Sequence, residues 1–185
     1  ADSLPTAYAL RAWSLQASNV ARFDEAERAL RRALRIVEKL RGNRHPEFAA
    51  IQLELAQLYL LLDRAEEAQP LVAAAGDSLK RSYGPRHAMV AQAVAVSARL
   101  AQRQGRFAEA ESLWNDALGL IQGGRKPNPA DVSAVMHGLA ATYLNQHDAP
   151  AAIEMLGRVI AIVEKSVGTE DVAYGLVLQS MAAVQ

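Results

Sequence analysis

Four histidines are the residues best suited to do chemistry in this chain: His45, His87, His137 and His147. An imidazole works as a metal ligand or a general base only when partners converge on it. A zinc site wants two histidines one helical turn apart with an acid, and a nucleophilic site wants a serine and an acid in fixed geometry. None of the four has another histidine three or four positions away, and no acidic triad surrounds any of them. Cysteine is absent, which removes thiolate nucleophiles, Cys-based zinc sites and disulfides together. A phosphate-cradling glycine loop needs a strand ahead of it, and no useful length of the chain alternates with period two. No catalytic, cofactor-binding or metal-binding residue is assigned, and the chain is not expected to be an enzyme. His45 and His87 stand 42 residues apart, which makes them equivalent residues that open successive helices.

Charge offers the second kind of chemistry. The chain has 185 residues, with 20 Lys+Arg against 20 Asp+Glu, so neither a nucleic acid nor a membrane surface is an expected partner. The basic run from Arg28 to Arg44 contains Glu38 and follows the outward face of a helix, as a solvated surface does, with Glu27 placed to pair with Arg31 one turn on. Arg99 and Arg103 are different. They lie one turn apart with no acidic residue within four positions, a pattern suited to attract a carboxylate. The longest apolar stretch, around Ala88 to Ala101, is broken by Gln92, Ser97 and Arg99 and falls short of a membrane span. A start at Ala1 rather than Met implies processing or trimming. A cytoplasmic location is favoured, with a periplasmic or secreted one as the alternative.

The elements that must position these groups repeat. Ala26, Ala68, Ala110 and Ala152 recur at intervals of 42 residues. Twelve residues before each stand Ser14, Ala56, Ala98 and Ala140, and seven after stand Ala33, Ala75, Ala117 and Val159. Small residues at such offsets let two helices approach closely, while Leu30, Val72, Trp114 and Leu156 fill the space beside them. The spacing predicts helices over about 5–20, 24–41, 46–62, 65–83, 86–104, 107–122, 129–146 and 149–167, with an unpaired ninth over 170–184. Leu10, Trp13 and Ala17 give the first its inner face, and Pro70 belongs near the first turn of the fourth. Gly42, Gly84 and Gly168 close second helices. The fold expected is all-α, a right-handed superhelical solenoid of antiparallel helix pairs. It forms a single array with repeats at about 5–45, 46–87, 88–128 and 129–171 and a half repeat at 172–185.

Leu55-Ala56, Tyr59 and Glu67-Ala68 form a pattern that resembles the tetratricopeptide repeat. The 42-residue spacing, Glu-Ala-Glu at 25–27 and 109–111, Gln104-Gly105-Arg106-Phe107 and the Gly-x-x-His loops resemble its lengthened, kinesin-light-chain-like subtype. Ala65 and Ala149 depart from it by replacing the aromatic residue of the turn, and Lys126 stands where a closing glycine is expected. The Ala/Arg/Leu-rich composition fits a bacterial source.

This resemblance implies a scaffold that binds a protein or peptide on a concave surface lined by the first helix of each pair. Carried over by register, that surface comprises Tyr8, Arg11, Asn19, Gln57, Leu61, Gln92, Arg99, Arg103, His137 and Asn145, with Leu15, Leu53 and Leu60 among their neighbours. Asn19 and Asn145 resemble the subtype's backbone-binding asparagines. Two alternatives stand beside this expectation, a peptide-sensing regulatory module of a larger protein and a self-associating structural unit. Tyr174, Val177, Leu178 and Met181 make the ninth helix apolar, which implies further repeats or a homodimer through 172–184.

Overall fold

The structure is a computed structural model that describes residues 2–124, 128–167 and 181. Eight helices run through the described residues: α1 (Leu4–Asn19), α2 (Phe23–Arg41), α3 (Pro46–Leu61), α4 (Ala65–Tyr83), α5 (Ala88–Arg103), α6 (Phe107–Gln122), α7 (Pro129–Asn145) and α8 (Ala149–Val167). The chain divides into two compact units, Ala1–Val96 and Ser97–Gln185, with the division inside α5. In the first unit α1 packs on α2, α2 on α3 and α3 on α4; in the second, α6 packs on α7 and α7 on α8. The expected Gly168 closure, the ninth helix apart from Met181, the half repeat with its interface, and the Arg125–Pro127 stretch lie outside the described residues.

First helices open on a side chain that accepts a backbone N–H. The Ser3 hydroxyl takes the amide of Thr6 at 3.3 Å, and the Asn128 carbonyl takes that of Ala130 at 3.1 Å. His45 and His87 do the same through Nδ1, accepting from Glu47 and Met89, each at 3.2 Å. The helix-opening role expected of these two histidines is what the structure shows. Each cap satisfies a donor that the first turn leaves without an intrahelical partner.

Second helices open differently. Arg22, Arg64 and Arg106 hold the capping position and accept nothing there. Each guanidinium instead pairs with the glutamate three residues on: Glu25 at 2.6 Å, Glu67 at 2.5 Å, and Glu109. Those carboxylates also face the positive end of the helix. In the fourth repeat Ala151 takes the glutamate's place, and the cap changes with it. Asp148 there accepts from the Ala151 amide at 3.1 Å.

The turn between paired helices is the same four times. Ala21, Asp63, Gly105 and His147 all have positive φ, between 57° and 73°. The amide after each reaches the carbonyl five residues back, as Arg22 to Ala17 at 2.8 Å and Asp148 to Tyr143 at 2.9 Å. This is the double-bonded left-handed ending that favours glycine, and only the third repeat has one. Gly42 and Gly84 close α2 and α4 at φ 82° with ψ 162° and 164°, a combination nearly confined to glycine.

The repeat is most visible in the core. Ala26, Ala68, Ala110 and Ala152 are each 0% exposed, and the small residues twelve before and seven after them are buried in every repeat. Leu30, Val72, Trp114 and Leu156 are buried beside them. Each aliphatic one contributes about 1.5–3 kcal/mol by leaving water. Trp114 lies flat on Gly138, where an added Cβ would stand 2.4 Å from the indole. Pro70 is the sixth residue of α4 and lies beyond the first turn, so the Glu66 carbonyl loses its ordinary helical donor.

Trp13 is corrected by the structure. It was expected on the inner face of α1 but is 47% exposed, with the Arg22 guanidinium 5.5 Å from the ring centroid. Its counterparts Leu55 and Leu139 are buried in α3 and α7, on which α2 and α6 pack. No described helix precedes α1 to cover Trp13 in the same way.

Candidate functional site

Tyr8, Arg11, Leu15 and Asn19 follow one another at three- and four-residue steps on α1, so they share a face. Tyr8, Leu15 and Asn19 are exposed; Arg11 is half-buried because it reaches across to α3. There its Nε lies 3.1 Å and 3.0 Å from the two oxygens of Glu54, and its Nη2 makes a further contact with the same carboxylate. This two-pronged pair ties α1 to α3 and raises the Arg11 pKa. Arg11 is thereby committed within the chain.

On α3, Leu61 is exposed and Gln57 half-buried, whereas Leu53 and Leu60, expected on the same surface, are fully buried. Their aliphatic side chains complete the core. Gln92 is exposed on α5 in the first unit.

The second unit brings Arg99 and Arg103 together on α5, both exposed. Loss of surrounding water holds the Arg99 guanidinium below its usual range, and repulsion from Arg103 adds to this. Arg99 has no hydrogen-bond or ion-pair partner among the described residues, whereas Arg103 is already engaged. On α7, His137 and Asn145 are exposed, His137 with an interaction of its own. The Asn145 side-chain amide donates back to the Ala141 carbonyl at 2.7 Å.

A second polar constellation links neighbouring pairs. The Tyr59 hydroxyl donates to Glu27 at 3.1 Å and accepts from the Arg31 Nη2 at 2.8 Å. Arg64 donates to Glu27 at 2.7 Å and stands 4.3 Å over the Tyr59 ring. Arg64, then Tyr59 and Arg31, hold Glu27 below the usual carboxylate range against the opposing effect of burial. The expected Glu27–Arg31 pair is present at 2.7 Å as one strand of this knot. The second unit repeats it: Tyr143 donates to Glu111 at 3.4 Å and Gln146 donates to it at 3.1 Å. A signal for it lay in the sequence, since Glu27 and Glu111, like Tyr59 and Tyr143, are two repeats apart.

Among the described residues no group of three or more His, Asp or Glu is placed to hold a metal ion. No described helix is long and apolar enough to cross a membrane.

The small-residue register, the repeated turn and the paired helices define an all-α helical-repeat protein. The sequence profile of the tetratricopeptide repeat matches residues 6–75 and 95–165, and the chain belongs to that family. No curated protein sequence is similar to it. Among solved structures it is similar to a putative kinesin light chain of Podosopora anserina with nearly identical TPR-like repeats. The TM-score is 0.71 at 22% identity, over 96% of this chain and 84% of that one. A point-substituted form of that protein gives 0.72 with the same identity and coverage. It is also similar to BtubC (BKLC) of P. vanneervenii, with a TM-score of 0.71 and 22% identity, over 89% of this chain and 66% of that one. These likenesses are likenesses of fold.

Proposed function

We propose that the chain is a protein- or peptide-binding scaffold that takes its partner on the faces of its first helices, and that Arg99 anchors a carboxylate of that partner. The coarse part follows from the family, whose repeats serve protein interaction. The finer part rests on one observation: Arg99 is accessible, unpartnered among the described residues and partly dehydrated. A cation in that state gains more from an incoming anion than a fully solvated one, because less water must be displaced and the field is less screened. Arg103 one turn away adds to the positive field. His137 and Asn145 in the second unit, and separately Tyr8, Asn19, Gln57, Leu61 and Gln92 in the first, are the further side chains that these faces offer to a partner.

The test is selection from a random peptide library with free C-termini, followed by titration of the enriched peptides against the native protein and Arg99→Glu. Enriched peptides should carry an acidic side chain or use their C-terminal carboxylate. The variant should keep its helical circular dichroism and bind at least about ten-fold more weakly, equivalent to about 1.4 kcal/mol. Peptides that bind Arg99→Glu as tightly as the native protein would remove Arg99 from the site.

A further inference from the structure

Ala9, Trp13, Gln16 and Val20 follow at three- and four-residue steps along α1 and share a face, distinct from that of Tyr8, Arg11 and Leu15. All four are exposed. In two later first helices the register equivalents are covered. Ile51, Leu55 and Leu58 are buried in α3, on which α2 packs, and Val135, Leu139 and Thr142 are buried in α7, on which α6 packs. Trp114 of α6 rests on Gly138 of α7, the equivalent of Ala12 beside this stripe. The open face of α1 is therefore the one that a covering helix occupies in both described joints.

Those joints also share a charge. Glu27, the fifth residue of α2, accepts from Tyr59 at 3.1 Å and from Arg64 at 2.7 Å. Glu111, the fifth residue of α6, accepts from Gln146 at 3.1 Å. An acid near the start of the covering helix thus meets the turn that ends the covered one, and the two helices run antiparallel. Arg22 is the equivalent of Arg64 after α1. Its Nε and Nη2 both go to one oxygen of Glu25, at 2.9 Å and 2.6 Å, and its Nη1 has no partner among the described residues. Arg64 spends its Nη1 on Glu27. The Arg22 side chain is accordingly 52% exposed, against 33% for Arg64. A cation able to receive such an acid stands beside the uncovered Trp13, 5.5 Å from its ring centroid.

We propose that this face of α1 docks an amphipathic helix of a partner protein, antiparallel to α1, with its apolar stripe on Ala9, Trp13 and Val20 and a glutamate near its start on Arg22. Trp13 is the apolar anchor, and the Arg22 pair fixes the direction of the incoming helix. A second copy of the chain fits less well. Its α2 and α6 carry the glutamate but already cover α3 and α7, while the equivalent positions of α4 and α8 hold Gln69 and Ile153.

The probe is a peptide with the sequence of α2, Phe23–Arg41, which joins an apolar stripe to a glutamate in the required place. Titrated into the full chain and followed by NMR, it should shift the Trp13 indole N–H saturably and leave that of the buried Trp114 in place. Trp13→Ala identifies the signal. Arg22→Glu, with its helical circular dichroism retained, should weaken binding at least about ten-fold, and a peptide carrying Glu27→Arg should recover it by restoring the pair with reversed charges. A stationary Trp13 signal, equal binding by Arg22→Glu, or no recovery with the reversed pair would overturn the proposal. A Trp13 signal that moves on dilution of the chain alone would assign the face to a second copy. A Trp13 ring shielded from acrylamide quenching at every dilution would assign it to the chain itself, and either result would also overturn the proposal. The selection that tests Arg99 concerns another helix, so the two ideas fail separately.

Discussion

Glu27 shows how much one side chain can carry in a fold built from small apolar contacts. It accepts from Arg64 and Tyr59 and pairs with Arg31, joining α2 to α3 and to the turn that follows. Its folded pKa is depressed, so its contribution is fully present above the ordinary glutamate range of about 4.3 and is lost as pH falls through the lower folded value. Glu27→Gln should cost about 1.5 kcal/mol at neutral pH and flatten the acid limb of stability. Urea midpoints measured from neutral pH downward check this, and parallel acid limbs for the two proteins would contradict it. Only the Glu27–Arg31 part of the knot was legible beforehand, because a pairing one turn away on one helix follows from spacing alone. The bond to Tyr59 depends on how two helix pairs stack, which no local pattern encodes. The Arg11 pair was hidden for a related reason, since its partner Glu54 lies 43 residues away.

At the scale of elements, the boundaries followed from punctuation that has a physical cause. Pro46 and Pro129 open α3 and α7, Gly42 and Gly84 close α2 and α4, and the small residues fix which faces meet. The left-handed turn residues were legible only at Gly105, since nothing in Ala21 or His147 announces positive φ. Ala21→Gly should therefore relieve strain and raise stability by about 0.5–1 kcal/mol, and Gly105→Ala should lower it by a similar amount. Denaturant melts of both variants test the pair, and a loss on Ala21→Gly would deny the strain. Packing gives a second contrast on α6 and α7. Gly138→Ala drives a methyl group into Trp114 and should cost about 1–3 kcal/mol, whereas Gly119→Ala meets open space within α6 and should stabilise by about 0.5–1 kcal/mol. Equal effects would mean that the indole does not rest on Gly138. Trp13 escaped sequence reading because apolar periodicity marks a face without telling whether another helix covers it.

For the whole molecule, the repeat period carried the architecture almost unaided. A 42-residue recurrence of alanine needs no knowledge of partners to imply stacked helix pairs, and the register alanines are among the most completely buried of the described residues. Binding is harder to read, because a groove residue and a solvated one look alike until their surroundings are known. Leu53 and Leu61 illustrate it: two leucines two turns apart on α3, one in the core and one 56% exposed. Arg99 and Arg103 likewise looked equivalent by spacing, and only the structure separates the unpartnered one from the engaged one. The central claim, that partners dock on the first helices, is tested most directly by amide chemical-shift mapping with a selected peptide. The account predicts shifts concentrated on the outward faces of α1, α3, α5 and α7, strongest near Arg99. Shifts concentrated on the second helices, such as around Arg31 and Arg35 of α2, would contradict it.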